Sequence, residues 1–171
     1  MQPTEILMQE HRVIEQVLSC LEKLAEAGSR DGRIEAAVAA DAIDFLRVFA
    51  DRFHHAKEEE NLFPMMEARG FSPDLGPTAV MRQDHEAGRA LVARMAEAVN
   101  GASEGQATEV RAFVESAMTY VSLLREHIQR EDQCLFPMAD QALRPEDQQA
   151  QTAAPRRPSE EEVVSSAPAP P

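Results

Sequence analysis

The chain has 171 residues, the size of one domain on a prior of about 150 residues per domain. It carries 17 Lys and Arg against 30 Asp and Glu, a formal charge of −13. That balance argues against nucleic acid and anionic membrane surfaces as partners, since both attract basic patches. Trp is absent, and two cysteines, Cys20 and Cys134, can neither build a disulfide framework nor hold an iron–sulfur cluster alone. Met1-Gln2-Pro3-Thr4-Glu5 lacks the basic and apolar regions of a signal peptide, and no apolar run approaches the ~18 residues of a membrane span. The expected setting is a reducing cytoplasm.

In chain order, four segments show the 4-3-4-3 spacing that a helix presents to a bundle core. The first gives Leu7, His11, Ile14, Leu18, Leu21 and Ala25, and the second gives Ala39, Ile43, Leu46, Ala50 and Phe53. The third gives Met81, His85, Gly88, Val92, Met95 and Val99. The fourth gives Phe113, Ala117, Tyr120, Leu124, His127, Glu131, Cys134 and Met138. Breaks fall at Gly28 to Gly32, Gly70 to Pro77 and Asn100 to Gly105. No segment alternates with period two. The spacing predicts an all-α, up-down-up-down four-helix bundle over 1–143. From Arg144 to Pro171 the only large apolar side chains are Val163 and Val164, which predicts a disordered tail without chemistry of its own.

The seams carry groups that an apolar core does not want. His11, His85, His127 and Glu131 lie on them, and His54 adjoins Phe53. A lone seam histidine is usually a satisfied core residue; one on each of four helices is not explained that way. The second and fourth segments also repeat a motif: His54-x3-Glu58-x3-Leu62-Phe63-Pro64 and His127-x3-Glu131-x3-Leu135-Phe136-Pro137. Gln9-Glu10-His11 matches Gln83-Asp84-His85 more loosely. The chain therefore reads as two copies of a helix pair, a duplication that tends to build a two-fold site at the bundle axis. Residues i and i+4 share a helix face with Cβ atoms about 5–6 Å apart, so His and Glu at that spacing can address one metal centre. Four imidazoles and two carboxylates suit a pair of first-row metals, with iron the usual dinuclear occupant of such bundles. Pro64 and Pro137 either bend their helices or begin new short ones.

This pattern resembles the hemerythrin-like (HHE cation-binding) family over roughly residues 4–140. The resemblance implies a non-haem di-iron centre, with two iron ions (Fe2+/Fe3+) that are oxo- or hydroxo-bridged when oxidised. His11, His54, His85 and His127 would be terminal ligands, and Glu58 and Glu131 bridging carboxylates. The oxygen-carrying members have another His one turn after the third-helix ligand, where this chain has Arg89. Candidates for the missing ligand are His55, Glu86 and Glu15. On a straight α-helix His55 points about 100° away from His54, which also allows it a supporting role instead. Gly88 would leave space near the metal or permit close helix packing. Tyr120, about 10 Å along the helix from His127, reads as a core residue with a supporting role as the minor alternative. Cys134 and the methionines 65, 66, 81, 95 and 138 read as core filler.

The functional expectation is a di-iron protein that binds or senses a small diatomic ligand, dioxygen or nitric oxide. The alternatives are an enzyme acting on hydrogen peroxide or nitric oxide with an external electron donor, and iron storage or structural metal binding.

Overall fold

The computed structural model describes residues 2–143; the expected tail from Arg144 onward lies outside the described residues. Helix α1 (Pro3–Asp31) begins at Pro3, whose missing N–H is no loss in a first turn, and ends on Gly32 in the left-handed conformation (φ 71°). It runs straight through Gly28, where the expected break began. Gly28 packs against the buried Ile34 side chain instead, and an added Cβ would push the end of that side chain aside. The second rod starts as α2 (Ala36–Phe45), continues as π-helical turns over Leu46–His55 and Glu58–Leu62, and finishes as α3 (Phe63–Ala68). The third is α4 (Pro77–Ser103). The fourth is α5 (Ala107–Arg130), a π-helical turn over Glu131–Leu135, and α6 (Phe136–Ala142). Each rod packs on the rods before and after it in the chain, and α5 closes the ring against α1. The result is the expected four-helix bundle, with no strand among the described residues and no described helix long and apolar enough to cross a membrane.

The π turns change the phase of the seams. A π turn closes an N–H to the carbonyl five residues back and so absorbs one extra residue. The Phe63 N–H meets the Glu58 carbonyl in this way, and the Phe136 N–H meets the Glu131 carbonyl. The expected seam Phe53 is accordingly only half-buried, and His54 takes its place. Likewise Leu135 and Ala139 are buried where Cys134 and Met138 were expected, and both of those are exposed. Met65 is half-buried, whereas Met66, Met81 and Met95 are core. Pro64 and Pro137 each occupy the second position of a new α-helical segment, so of the two expectations for them the structure takes the helix start.

Burial divides the bundle into layers. One apolar cluster gathers Ile14, Leu18, Met95, Phe113 and Leu124 with their neighbours. A second gathers Leu7, Leu62, Phe63, Met81, Leu135 and Phe136. Between them in sequence register, on all four rods, lie buried His11, His54, His55, Glu58, His85, His127 and Glu131.

Candidate metal centre

The seven polar residues between the apolar layers converge. One group of four ligand atoms comes from His11, His54, Glu58 and Glu131, and another from His55, Glu58, His85 and His127; within each group the atoms lie within 4.8 Å of one another. Glu58 belongs to both. Glu131 also spans them, with one oxygen 3.2 Å from the Nε2 of His11 and 3.2 Å from that of His127. Glu58 places its two oxygens 3.4 Å from His54 Nε2 and 3.5 Å from His85 Nε2. The Nε2 atoms of His85 and His127 face each other at 3.2 Å.

Each of four imidazoles is turned inward by a carboxylate on its other nitrogen. His11 Nδ1 meets Asp132 at 2.7 Å, and His85 Nδ1 meets Glu59 at 2.6 Å. His54 Nδ1 meets Glu10 at 2.9 Å, and His127 Nδ1 meets Asp84 at 3.2 Å. A carboxylate on Nδ1 fixes the proton there and leaves the Nε2 lone pair for a metal. Two phenylalanines of the repeated motif complete the support: Phe136 stacks on His11 at 5.4 Å between centroids, and Phe63 on His85 at 5.9 Å. The carboxylates are held in turn by cations, Glu10 by Lys57, Asp132 by Arg12, Asp84 by Arg130 at 2.8 Å and Glu59 by Arg89 at 2.8 Å.

Sequence reasoning missed these four carboxylates, although a signal was present. Glu10 and Asp84 immediately precede the lone histidines of the two copies, and Glu59 and Asp132 immediately follow the motif glutamates.

Among the expected candidates for a further ligand, the structure brings His55 to the centre and keeps the others away. The π turn that buries His54 also buries His55, which stacks on His85 with centroids 3.8 Å apart. Its Nδ1 lies 3.5 Å from Asp51. Glu86 points to solvent and pairs with Arg89 at 2.8 Å, and Glu15 pairs with Arg12 at 3.1 Å on the surface of α1. Arg89 itself bonds Asp51, Glu59 and Glu86. Tyr120 is buried beside Gly88.

The donors fit a pair of cations. His11 Nε2, His54 Nε2 and all four oxygens of Glu58 and Glu131 are buried without a hydrogen bond of good geometry, a state that native proteins rarely leave uncompensated. Burial pushes His54 down to about 4 and His55 to about 3, which keeps both neutral as metal ligands must be. Burial and then the Glu131 charge hold Glu58 well above the usual carboxylate range. Burial opposes ionisation of Glu131 too, but His127 and His11 outweigh it and hold Glu131 well below that range. For His127, burial is outweighed by Glu131 and Asp84, which raise it to about 9.

The sequence matches the Hemerythrin HHE cation binding domain family over residues 2–139, and the chain belongs to that family. It is 27% identical over 133 residues to the uncharacterized protein Mb2018 of Mycobacterium bovis and, to the same degree, to the uncharacterized protein Rv1995 of Mycobacterium tuberculosis. Those matches cover 78% of this chain and 51% of each relative, so the chain spans about half the length of the curated relatives it matches. No solved structure matches it.

Proposed function

We propose that this protein holds two iron ions between its apolar layers and binds or senses a small diatomic ligand, dioxygen or nitric oxide, there. The observation that carries the reading is the pair of four-residue ligand groups that share Glu58, with the facing atoms of Glu58, Glu131, His11 and His54 buried together without a hydrogen bond. By this reading His11 and His54 would hold one ion and His55, His85 and His127 the other, with Glu58 and Glu131 shared between them. Mixed imidazole and carboxylate donors suit iron, which would supply redox chemistry toward a diatomic ligand there. The chain's own residues do the remainder. Asp132, Glu10, Glu59 and Asp84 hold the imidazole protons at Nδ1, and Phe63 and Phe136 shield two of the rings from water. The exposed, unpaired Cys20 and Cys134 support a reducing compartment such as the cytoplasm.

The test is exposure of the reduced, iron-loaded full chain to dioxygen or nitric oxide, followed optically. A stable adduct formed once per centre is expected. Repeated consumption of added peroxide or nitric oxide, with no lasting adduct, would replace this reading with that of an enzyme.

A further inference from the structure

The repeat that builds the centre fails on one face of it, and there it leaves a cavity. That cavity has a volume of ≈280 Å³, and its walls include Asp51, His55, His85, Gly88, Val92 and Tyr120. The two motif histidines, His54 and His127, stand 73 residues apart, and His11 and His85 stand 74 apart. In that register Leu124 stands for Asp51, Ile128 for His55, Ile14 for Gly88 and Leu18 for Val92. All four of these counterparts are buried in the apolar core. One face of the centre is therefore packed shut with aliphatic side chains. The equivalent face is open and polar.

Tyr120 supplies an independent observation. The residue is 2% exposed, and among the described residues no group hydrogen-bonds its hydroxyl, an oxygen that is not among the fully buried unpartnered ones. A tyrosine hydroxyl at a cavity wall takes its partner from what fills the cavity. The residue borders the cavity together with two imidazoles of the centre. We propose that this cavity is a binding pocket for one small hydrogen-bond-accepting molecule, that the Tyr120 hydroxyl donates to it, and that ligands of the metal centre arrive through it. The space is ample, since a cavity of about 150 Å³ already accepts benzene. Arg47 and Arg52 at the rim are exposed, which favours neutral or anionic ligands over cations. The pocket stands without the metal reading; the route to the centre rests on that reading.

Tyr120 is the chain's only tyrosine and there is no tryptophan, so the intrinsic fluorescence of the full chain reports this cavity wall. The probe is acrylamide, a small amide whose carbonyl accepts a hydrogen bond, followed by fluorescence lifetime on the protein as purified. Tyr120 emission is expected to be quenched efficiently despite its burial. Gly88→Ile, which installs the counterpart residue from the closed face, is expected to cut the quenching constant several-fold at unchanged helical circular dichroism. Gly88→Ala, whose Cβ would lie 3.3 Å from Tyr120 Cε2, is expected to fall between. Should Gly88→Ile fail to fold, Val92→Leu makes the same test from the other wall. Resistance of the native emission to acrylamide, or equal quenching in the plugged variants, overturns the pocket. In iron-loaded chain, Gly88→Ile should slow azide association several-fold at equal iron content, and Tyr120→Phe should weaken azide affinity several-fold. Unchanged azide kinetics in both overturns the route. A chain that takes up no iron defeats the metal reading, while the quenching result still decides the pocket.

Discussion

The two faces of the polar layer start from one sequence pattern and end as different environments. On the closed face the equivalent positions are Ile14, Leu18, Leu124 and Ile128, all buried in the apolar core. On the other, Gly88 subtracts a side chain, His55 adds an imidazole, and Asp51 and Arg89 form an ion pair at 2.8 Å. The comparison separates what duplication supplies from what divergence supplies. Duplication supplies two lone histidines, two His-x3-Glu pairs, their four carboxylates and the stacked phenylalanines. Divergence supplies the fifth histidine and the cavity. The symmetric part builds two groups of donors that share Glu58, and the asymmetric part makes those two groups inequivalent.

The largest expected effect removes what the faces share. Glu58→Ala with Glu131→Ala should abolish two-metal loading, measured as iron per chain by elemental analysis; a double variant that still holds two irons breaks the assignment. Next, His55→Ile makes the open face match the closed one. It should leave the group of His11 and His54 loaded and empty or weaken the group of His85 and His127, so that iron content falls toward one per chain. The supporting carboxylates sharpen the symmetry. Glu10→Ala and Asp84→Ala, being counterparts, should each lower metal affinity about 10–100-fold by chelator competition. Asp51→Ala should cost less, because its contact to His55 is the longer one at 3.5 Å.

Packing differs in the same sense. Ile14→Ala on the closed face should destabilise the fold by about 2–5 kcal/mol in denaturant titration, through lost burial plus a cavity. Gly88→Ala on the open face should cost far less, since its Cβ would meet the edge of the Tyr120 ring at 3.3 Å and the Leu124 methyl at an ordinary 3.6 Å. The smallest effect is one of pH. His127, raised to about 9 by Glu131 and Asp84 once their pull has outweighed burial, holds a proton at neutral pH in metal-free protein. Metal must displace that proton. Affinity should therefore climb as pH rises toward about 9 and level off above it; a flat profile from pH 6 to 9 contradicts the assignment of His127 as a ligand.

Most of the fold was legible because aliphatic residues recur at α-helical spacing through α1, α4 and α5, where every seam residue from Leu7 to Ala25 and from Phe113 to Glu131 is buried. The reading slipped by one residue where the backbone turns π-helical, at Phe53 and again at Cys134 and Met138. No residue type announces an extra residue in a turn, and a 3.6-residue period extrapolates past it. The same turn explains why His55 could not be placed from sequence: α-helical geometry sends it outward, and π-helical geometry buries it beside His54. His11, His54, Glu58, His85, His127 and Glu131 were visible as a set because the motif is doubled. Glu10, Asp84, Glu59 and Asp132 were not, because in a chain with 30 acidic residues a carboxylate next to a histidine reads as solvated surface. The cavity needed the three-dimensional structure, since only there do Gly88, His55 and Tyr120 share a wall.

The central claim, two cations bridged by Glu58 and Glu131 within one polar layer, is tested most directly by anomalous diffraction at the iron edge from crystals of the iron-loaded full chain. The account predicts two iron peaks about 3.5–4 Å apart, the usual spacing of two-metal sites, with His11 and His54 on one and His55, His85 and His127 on the other. A single peak, or iron bound away from Glu58 and Glu131, would contradict it.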